Sequence, residues 1–271
     1  MLEIVRIYTH SSLRNFTYLI RQPDTTETLC IDPFDSSQVS VVLKQKNWSL
    51  EYIVNTHEHW DHTAGNEGLV QEFKSIVLTH PKGMETVPLA SRALYSRERI
   101  LSDREGNSYL EVLDTPGHTF AHICLLQVEN NAPVGVFTGD TIFNCGVGNC
   151  KNGGDPTTLY QTVSRIFYQF PDGVKLYPGH DYLQNNLKFS IALDPSNSAA
   201  HAALKKVNSL KSEAEFWTTN FAEERTFNPF FLCSKPSASL LSGIRNKSAQ
   251  PNLAEDERTL FLTLRSLRDK W

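Results

Sequence analysis

Apolar positions along this chain repeat with two different periods. Through the first 180 residues, short apolar runs recur at the spacing of buried or half-buried strands: Leu2 to Tyr8, Asn15 to Arg21, Thr28 to Asp32, Glu51 to Asn55, Lys74 to His80, Tyr109 to Leu113, Ala121 to Gln127, Pro133 to Phe137 and Val174 to Tyr177. Between them Val39, Val42 and Leu43, then Leu69 to Phe73, then Leu159, Val163, Ile166 and Phe167 read as helices. Residues 81–108, with Pro81, Gly83 and Pro88, follow neither period and read as a loop-rich connection. In the tail the spacing is helical over 187–193, 199–210 and 254–271. The last of these carries the stripe Leu260, Phe261, Leu264, Leu267 and Trp271, which reads as core.

Four of the strands run directly into residues that can bind metal. The strand at 51–55 ends in Thr56-His57-Glu58-His59-Trp60-Asp61-His62, which places three imidazoles and a carboxylate within six positions on a strand-to-helix turn. Two residues apart on extended backbone, His57 and His59 can face one ion, while Asp61 and His62 turn towards a neighbouring space. Glu58 points to the other side of the strand end and is not expected to be a ligand. Later strands deliver His118 after Pro116-Gly117, Asp140 after Gly139, and His180 after Pro178-Gly179. Each carboxylate oxygen can take one cation, so Asp140 is the candidate bridge between two ions. His80 has no evident partner in the sequence and reads as a packing or surface residue.

Composition narrows the function. The 271 residues are 40% hydrophobic, enough for a sizeable core, and the net charge of −4 gives no basic footprint for nucleic acid or anionic membrane. No apolar stretch is long enough for a membrane span and the start lacks a signal-peptide pattern, so a soluble, cytoplasmic protein is expected, with a small-molecule substrate favoured by the charge; a monomer is the expected state, although nothing in the sequence speaks to it. Five cysteines without a C-x-x-C pair read as reduced thiols.

With its H-x-H-x-D-H motif and the later His118, Asp140 and His180, the sequence resembles the metallo-β-lactamase superfamily. The resemblance implies an αββα sandwich, an α/β fold, with one metal held by His57, His59, His118 and the bridging Asp140, and a second held by Asp61, His62, His180 and the same Asp140. Other segments are similar to glyoxalase II, the hydroxyacylglutathione hydrolases: Phe137 to Phe143, Gly179 to Tyr182 running into Asn185 to Phe189 and Asp194 to Asn197, Glu223-Glu224-Arg225-Thr226-Phe227-Asn228-Pro229-Phe230, and the basic, aromatic end Arg265 to Trp271. This implies a catalytic domain over 1–181 and a helical substrate-binding domain over 182–271. Two divalent ions are implied, zinc first, with iron or manganese also compatible with mixed N/O ligands. The implied reaction is hydrolysis of S-(2-hydroxyacyl)glutathione, typically S-D-lactoylglutathione, to glutathione and a 2-hydroxy acid, the second step of methylglyoxal detoxification. A hydroxide shared between the metals, held at Asp61 and Asp140, is the expected nucleophile. Tyr182, Lys151, Arg265 and Arg268 are the expected contacts to the glutathione moiety. Arg265 and Arg268, three apart, share a helix face.

The chain departs from this family over 144–156. Cys145-Gly146-Val147-Gly148-Asn149-Cys150-Lys151-Asn152-Gly153-Gly154-Asp155 replaces the family's glycine-cysteine-glycine-basic run and its following aromatics, and Lys151 stands for the basic residue at altered spacing. A persulfide dioxygenase with one iron is the runner-up enzyme, and a non-catalytic metal or thiol-conjugate binding module is the alternative of a different class. Where the zinc-dependent lactamases place a cysteine ligand, this chain has Asp140.

Overall fold

In the computed structural model, which describes residues 1–210 and 215–271, the strand-rich region closes into two sheets packed face to face. The first sheet runs in chain order through β1 (Glu3–Tyr8), β2 (Phe16–Arg21), β3 (Thr28–Ile31), β4 (Tyr52–Val54), β5 (Ile76–Thr79) and β6 (Ala90–Ala93), antiparallel as far as β3 and parallel from β3 onward. The second begins with β7 (Arg99–Ile100), β8 (Tyr109–Asp114), β9 (Ile123–Glu129) and β10 (Ala132–Gly139), all antiparallel. After the small hairpin of β11 (Ile142–Phe143) and β12 (Gly146–Val147), β13 (Lys175–Pro178) joins it parallel to β10.

Period-two alternation decides what each face meets. Tyr18, Ile20, Leu29 and Ile31 point between the sheets towards Leu110, Val112, Leu125 and Phe137. Their neighbours Leu19 and Cys30 point the other way, onto Val39 and Leu43 of α1 (Ser36–Lys46) and Leu69 of α3 (Asn66–Phe73). Between those helices in sequence, α2 (Trp60–Thr63) is a single turn within the His-rich motif. The outer face of the second sheet, with Cys124, Val136 and Leu176, is covered by Leu159 and Val163 of α4 (Pro156–Arg165) and by the helical tail. The result is an αββα sandwich. The tail comprises α5 (Leu183–Leu193), α6 (Ser198–Asn208), α7 (Phe221–Phe227), α8 (Pro229–Leu232), α9 (Ala238–Ser248) and α10 (Glu257–Arg268). Leu260, Phe261 and Leu264 of α10 share one core with α4 and the second sheet.

Two expectations change. Residues 81–108 contain one edge strand of each sheet, β6 and β7, which at four and two residues are too short to establish a period. The stripe of α10 is core only as far as Leu264. Leu267 is half-buried, and Trp271, beyond the helix end, is 50% exposed. Helices α7 and α8, at seven and four residues, are too short to establish a period; their starts are set by the Asn220–Glu223 capping box and by the Asn228 side chain ahead of Pro229.

Candidate metal centre

β4, β8, β10 and β13 end along one edge of the sandwich, so the turns following them bring together residues far apart in sequence. The ligand atoms of His57, His59 and His118 form one group within 4.8 Å of one another, and those of Asp61, His62 and His180 form another. Asp140 lies between them, its carboxylate 3.6 Å from His118 Nε2, 3.4 Å from His62 Nε2 and 3.3 Å from His180 Nε2. The turn that delivers Asp140 requires a glycine: Gly139 has φ +45°, and a Cβ there would lie 2.5 Å from Thr56 Oγ1.

The donor set fits cations. His57 Nε2 and His118 Nε2 each lie 3.0 Å from His59 Nδ1, and His62 Nε2 lies 3.2 Å from His180 Nε2. Ligands bound at about 2.1 Å around one ion are themselves about 3.0 to 3.4 Å apart, at octahedral or tetrahedral edges respectively. In the first cluster the opposite ring nitrogen of each histidine is tied to an acceptor, which fixes the tautomer and aims an inner lone pair at the others. His118 Nδ1–H donates to Asn149 O at 2.6 Å and His59 Nε2–H to Asn152 O at 2.9 Å. His57 Nδ1–H donates to Thr56 Oγ1 at 3.0 Å, whose own proton goes to Asp32. Converging lone pairs with no donor among them call for a cation. In the second cluster His180 Nδ1–H donates to Leu13 O at 2.7 Å and His62 Nδ1–H to Asp32 Oδ2 at 2.9 Å. Asp140 Oδ1 is buried without a hydrogen-bond partner, an orphaned anionic atom facing that space.

Electrostatics point the same way. Burial, and then the charges of neighbouring histidines, hold His57 well below the usual histidine range, so it stays neutral. Burial also lowers His118, against the opposing pull of Asp140. Burial alone would lower His62, but the carboxylates of Asp140, Asp32 and Asp61 override it and raise it to about 10. Burial likewise opposes ionisation of Asp140, yet His180, His62 and His118 hold it well below the carboxylate range. The second cluster thus carries more negative charge than neutral imidazoles can balance.

A cavity of about 290 Å³ opens beside this centre, lined among others by Phe143, Lys151, Tyr182, Asn186, Arg265 and Arg268. Tyr182 links cavity and centre, its ring stacked on His180 at 4.9 Å and edge-on to Phe143 at 5.1 Å. The expected cationic residues sit differently from one another. Arg268 donates to Asn186 Oδ1 at 3.1 and 3.2 Å, and the exposed Lys151 donates to Asp269 O at 3.1 Å. Arg265 is only 4% exposed; it donates to Val147 O at 2.7 Å, Gly148 O at 3.0 Å and Asp269 Oδ1 at 2.9 Å.

Residues 13–180 match the metallo-beta-lactamase superfamily, and residues 181–271 match the hydroxyacylglutathione hydrolase C-terminus. The hydroxyacylglutathione hydrolase of Nitrosococcus oceani is 40% identical over 99% of both chains, and that of a Polaromonas species is 38% identical, again over 99% of both. The chain belongs to the hydroxyacylglutathione hydrolase family. ETHE1 from Myxococcus xanthus, 24% identical over 89% of this chain and 88% of its own, shares the fold with a TM-score of 0.63. For a member of this family, the two His/Asp clusters imply divalent metal ions.

In this member of the hydrolase family three supporting residues escaped the sequence reading. Asp32, seen only as a strand end, accepts from Thr56 N, Thr56 Oγ1 and His62 Nδ1. It falls within ligand distance of His57 and His62, but with its oxygens already committed it orients His62 rather than forming a third site. Asn15 Nδ2 donates to Asp61 Oδ2 at 2.8 Å. His122, read as part of a strand, is fully buried, stacks on His57 and accepts from Asp140 N through Nε2. Two other histidine-motif readings also resolve. Glu58 accepts from Thr119 Oγ1, away from the clusters, and His80 does have partners, accepting from Lys82 N and lying 3.3 Å from Asp114.

Proposed function

We propose that the protein hydrolyses S-(2-hydroxyacyl)glutathione, with S-D-lactoylglutathione as the typical substrate, in methylglyoxal detoxification. The observation that carries this reading is the placement of the cavity: Arg268 and Lys151 line it, and Tyr182 connects it to the paired His/Asp clusters. A thiol bearing carboxylates is suited to such a cavity, and relatives matched over their full length bear the corresponding name. We assign the ligands as His57, His59 and His118 to one ion, Asp61, His62 and His180 to the other, and Asp140 to both, with zinc the first candidate and iron or manganese compatible. Residues 1–181 then form the catalytic part and 182–271 the substrate-binding part.

When bound, divalent cations supply a polarised carbonyl and a water whose pKa falls from about 15.7 to about 7. The chain's own groups do the rest. Asp61, fixed by Asn15, and Asp140, whose amide is held by His122, are the carboxylates placed to orient that water. Neutral His57 and His118 keep their inner nitrogens free of protons. Burial, with Asp140 next, raises the Tyr182 phenol well above its ordinary value, so it retains its proton and can donate a hydrogen bond to the thiol portion. With a parent pKa of about 8.5, a thiolate leaves with less need of protonation than an amine, so a thioester suits this site.

Steady-state assay on S-D-lactoylglutathione, with metal analysis of the same sample, tests the reading. Turnover with two metals per chain is the expected result. Absence of thioesterase activity in metal-replete protein overturns the reaction, and one metal in fully active protein overturns the two-ion assignment.

A further inference from the structure

We propose that Trp271 is a binding residue for the thiol half of the substrate, its indole face taking a planar amide group of a glutathione-like peptide. This rests on the reading of the cavity as the thiol site of an S-acylglutathione hydrolase. Three aromatic rings line that cavity: Phe143, Tyr182 and Trp271. Two of them belong to its metal end. Tyr182 stacks on His180 at 4.9 Å, and Phe143 stands edge-on to both, 5.1 Å from Tyr182 and 5.8 Å from His180. Trp271 packs elsewhere, on Phe189 and Asn185 of α5.

A tryptophan that lies beyond a helix end and exposes half its surface needs a reason to keep one orientation. Trp271 has two. Its Nε1–H donates to Asn185 Oδ1 at 3.2 Å, and its ring stands edge-on to the buried Phe189, with centroids 5.5 Å apart. Phe189 also carries the Arg268 guanidinium, 5.9 Å from its centroid, and Asn186, next to Asn185, accepts from Arg268. Neighbouring residues of α5 thus support the indole and the guanidinium together. With the indole N–H spent on Asn185, the surface left for a ligand is the ring itself. An acyl group held at the metals leaves the rest of the thiol to run along the cavity. In a tripeptide thiol that remainder consists of carboxylates, which suit Arg268 and Lys151, and of flat amide groups, which suit an aromatic face. Residues 144–156, which contribute Val147, Asn149 and Lys151 to the lining, contain no aromatic side chain, so this face has to come from the tail.

The test compares Trp271→Phe and Trp271→Ala with the wild type, all metal-replete, by steady-state assay on S-D-lactoylglutathione and by tryptophan fluorescence titrated with glutathione. Trp48, Trp60 and Trp217 also emit, so the signal of Trp271 is the wild-type emission minus that of Trp271→Phe. The proposal expects this difference to change as glutathione saturates. It expects Trp271→Ala to raise KM about 2- to 10-fold with kcat and metal content unchanged, and Trp271→Phe, which keeps a ring, to stay within about twofold of the wild type. A difference signal indifferent to saturating glutathione overturns the proposal even where KM rises, since the ring then acts only by propping Phe189 and Arg268. An unchanged KM in folded Trp271→Ala overturns it as well. If metal-replete wild type does not hydrolyse the thioester, the reading of the site as a hydrolase fails instead, and the glutathione titration, which needs no turnover, tells the two failures apart.

Discussion

Replacing Glu224 by glutamine is expected to flatten the dependence of stability on pH between 4.5, the ordinary glutamate value, and about 7, to which burial raises this side chain. Glu224 has no exposed surface, and desolvation outweighs the hydrogen bonds that favour its ionised form: Thr219 Oγ1 at 2.6 Å, Asn228 Nδ2 at 2.8 Å and Cys145 N at 2.9 Å. Because the folded-state value lies above the unfolded one, the folded chain binds more protons through this window. The contribution is therefore fully present below 4.5 and is lost as pH rises to about 7. Its size is about 3 kcal/mol, taking roughly 1.4 kcal/mol for each pH unit of that window. Glutamine imitates the neutral acid. Its amide can donate to Thr219 Oγ1, which already accepts from Asn144, while its oxygen accepts from Cys145 N and Asn228. Urea unfolding of metal-free protein from about pH 4 to 8 gives the stability difference between wild type and variant, in which the titration of all other groups cancels. The wild type should lose about 3 kcal/mol relative to the variant across the window and nothing further above it. Parallel curves, or a wild type that gains relative stability with rising pH, would refute the reasoning and mean that the three donors keep Glu224 ionised throughout.

Two further outcomes follow from the centre. Asp61→Ala and His180→Ala should each fold normally by circular dichroism yet retain about one metal equivalent less per chain, and loss of folding in both would show that these side chains are structural. Asp32→Ala should lower unfolding free energy by about 3 kcal/mol or more, since it strands Thr56 N, Thr56 Oγ1 and His62 Nδ1 in the interior, and wild-type stability in urea would refute the role assigned to it.

What could be read from the sequence depended on how locally each signal was written. Strands β2 and β3 announced themselves because Leu19 and Cys30 face one layer while Tyr18, Ile20, Leu29 and Ile31 face another, an alternation visible in a few letters. The metal-binding candidates were legible because each stands directly after a strand. Asp32, Asn15 and His122 were not. Asp32 acts on His62 from thirty positions away and Asn15 on Asp61 from forty-six, distances that only the sheet order brings to contact. Spacing placed Arg265 and Arg268 on one face of a helix, and they are there, but it could not say how deep each lies. Both line the cavity, but the Arg265 guanidinium is 4% exposed and bonded to two carbonyls, whereas Arg268 is less buried and bonded to Asn186.

The loop over 144–156 shows why a segment can depart from a family's letters while the centre beside it keeps its geometry. Asn149 and Asn152 support His118 and His59 with carbonyl oxygens, which every residue type carries, so side chains at those positions are free to change as far as the histidines are concerned. The path of the backbone is not free. Gly148 and Gly154 leave no space for a Cβ against Asp140 and His118, and Cys145 takes a positive φ of 59° with its amide held by Glu224. The constraint on this loop is therefore carried by its glycines and by residues outside it: Arg265 on α10 and Glu224 on α7. The Lys151 side chain donates to Asp269 O and lines the cavity, so its identity is set by those contacts and not by the histidines, which the loop reaches through main-chain oxygens.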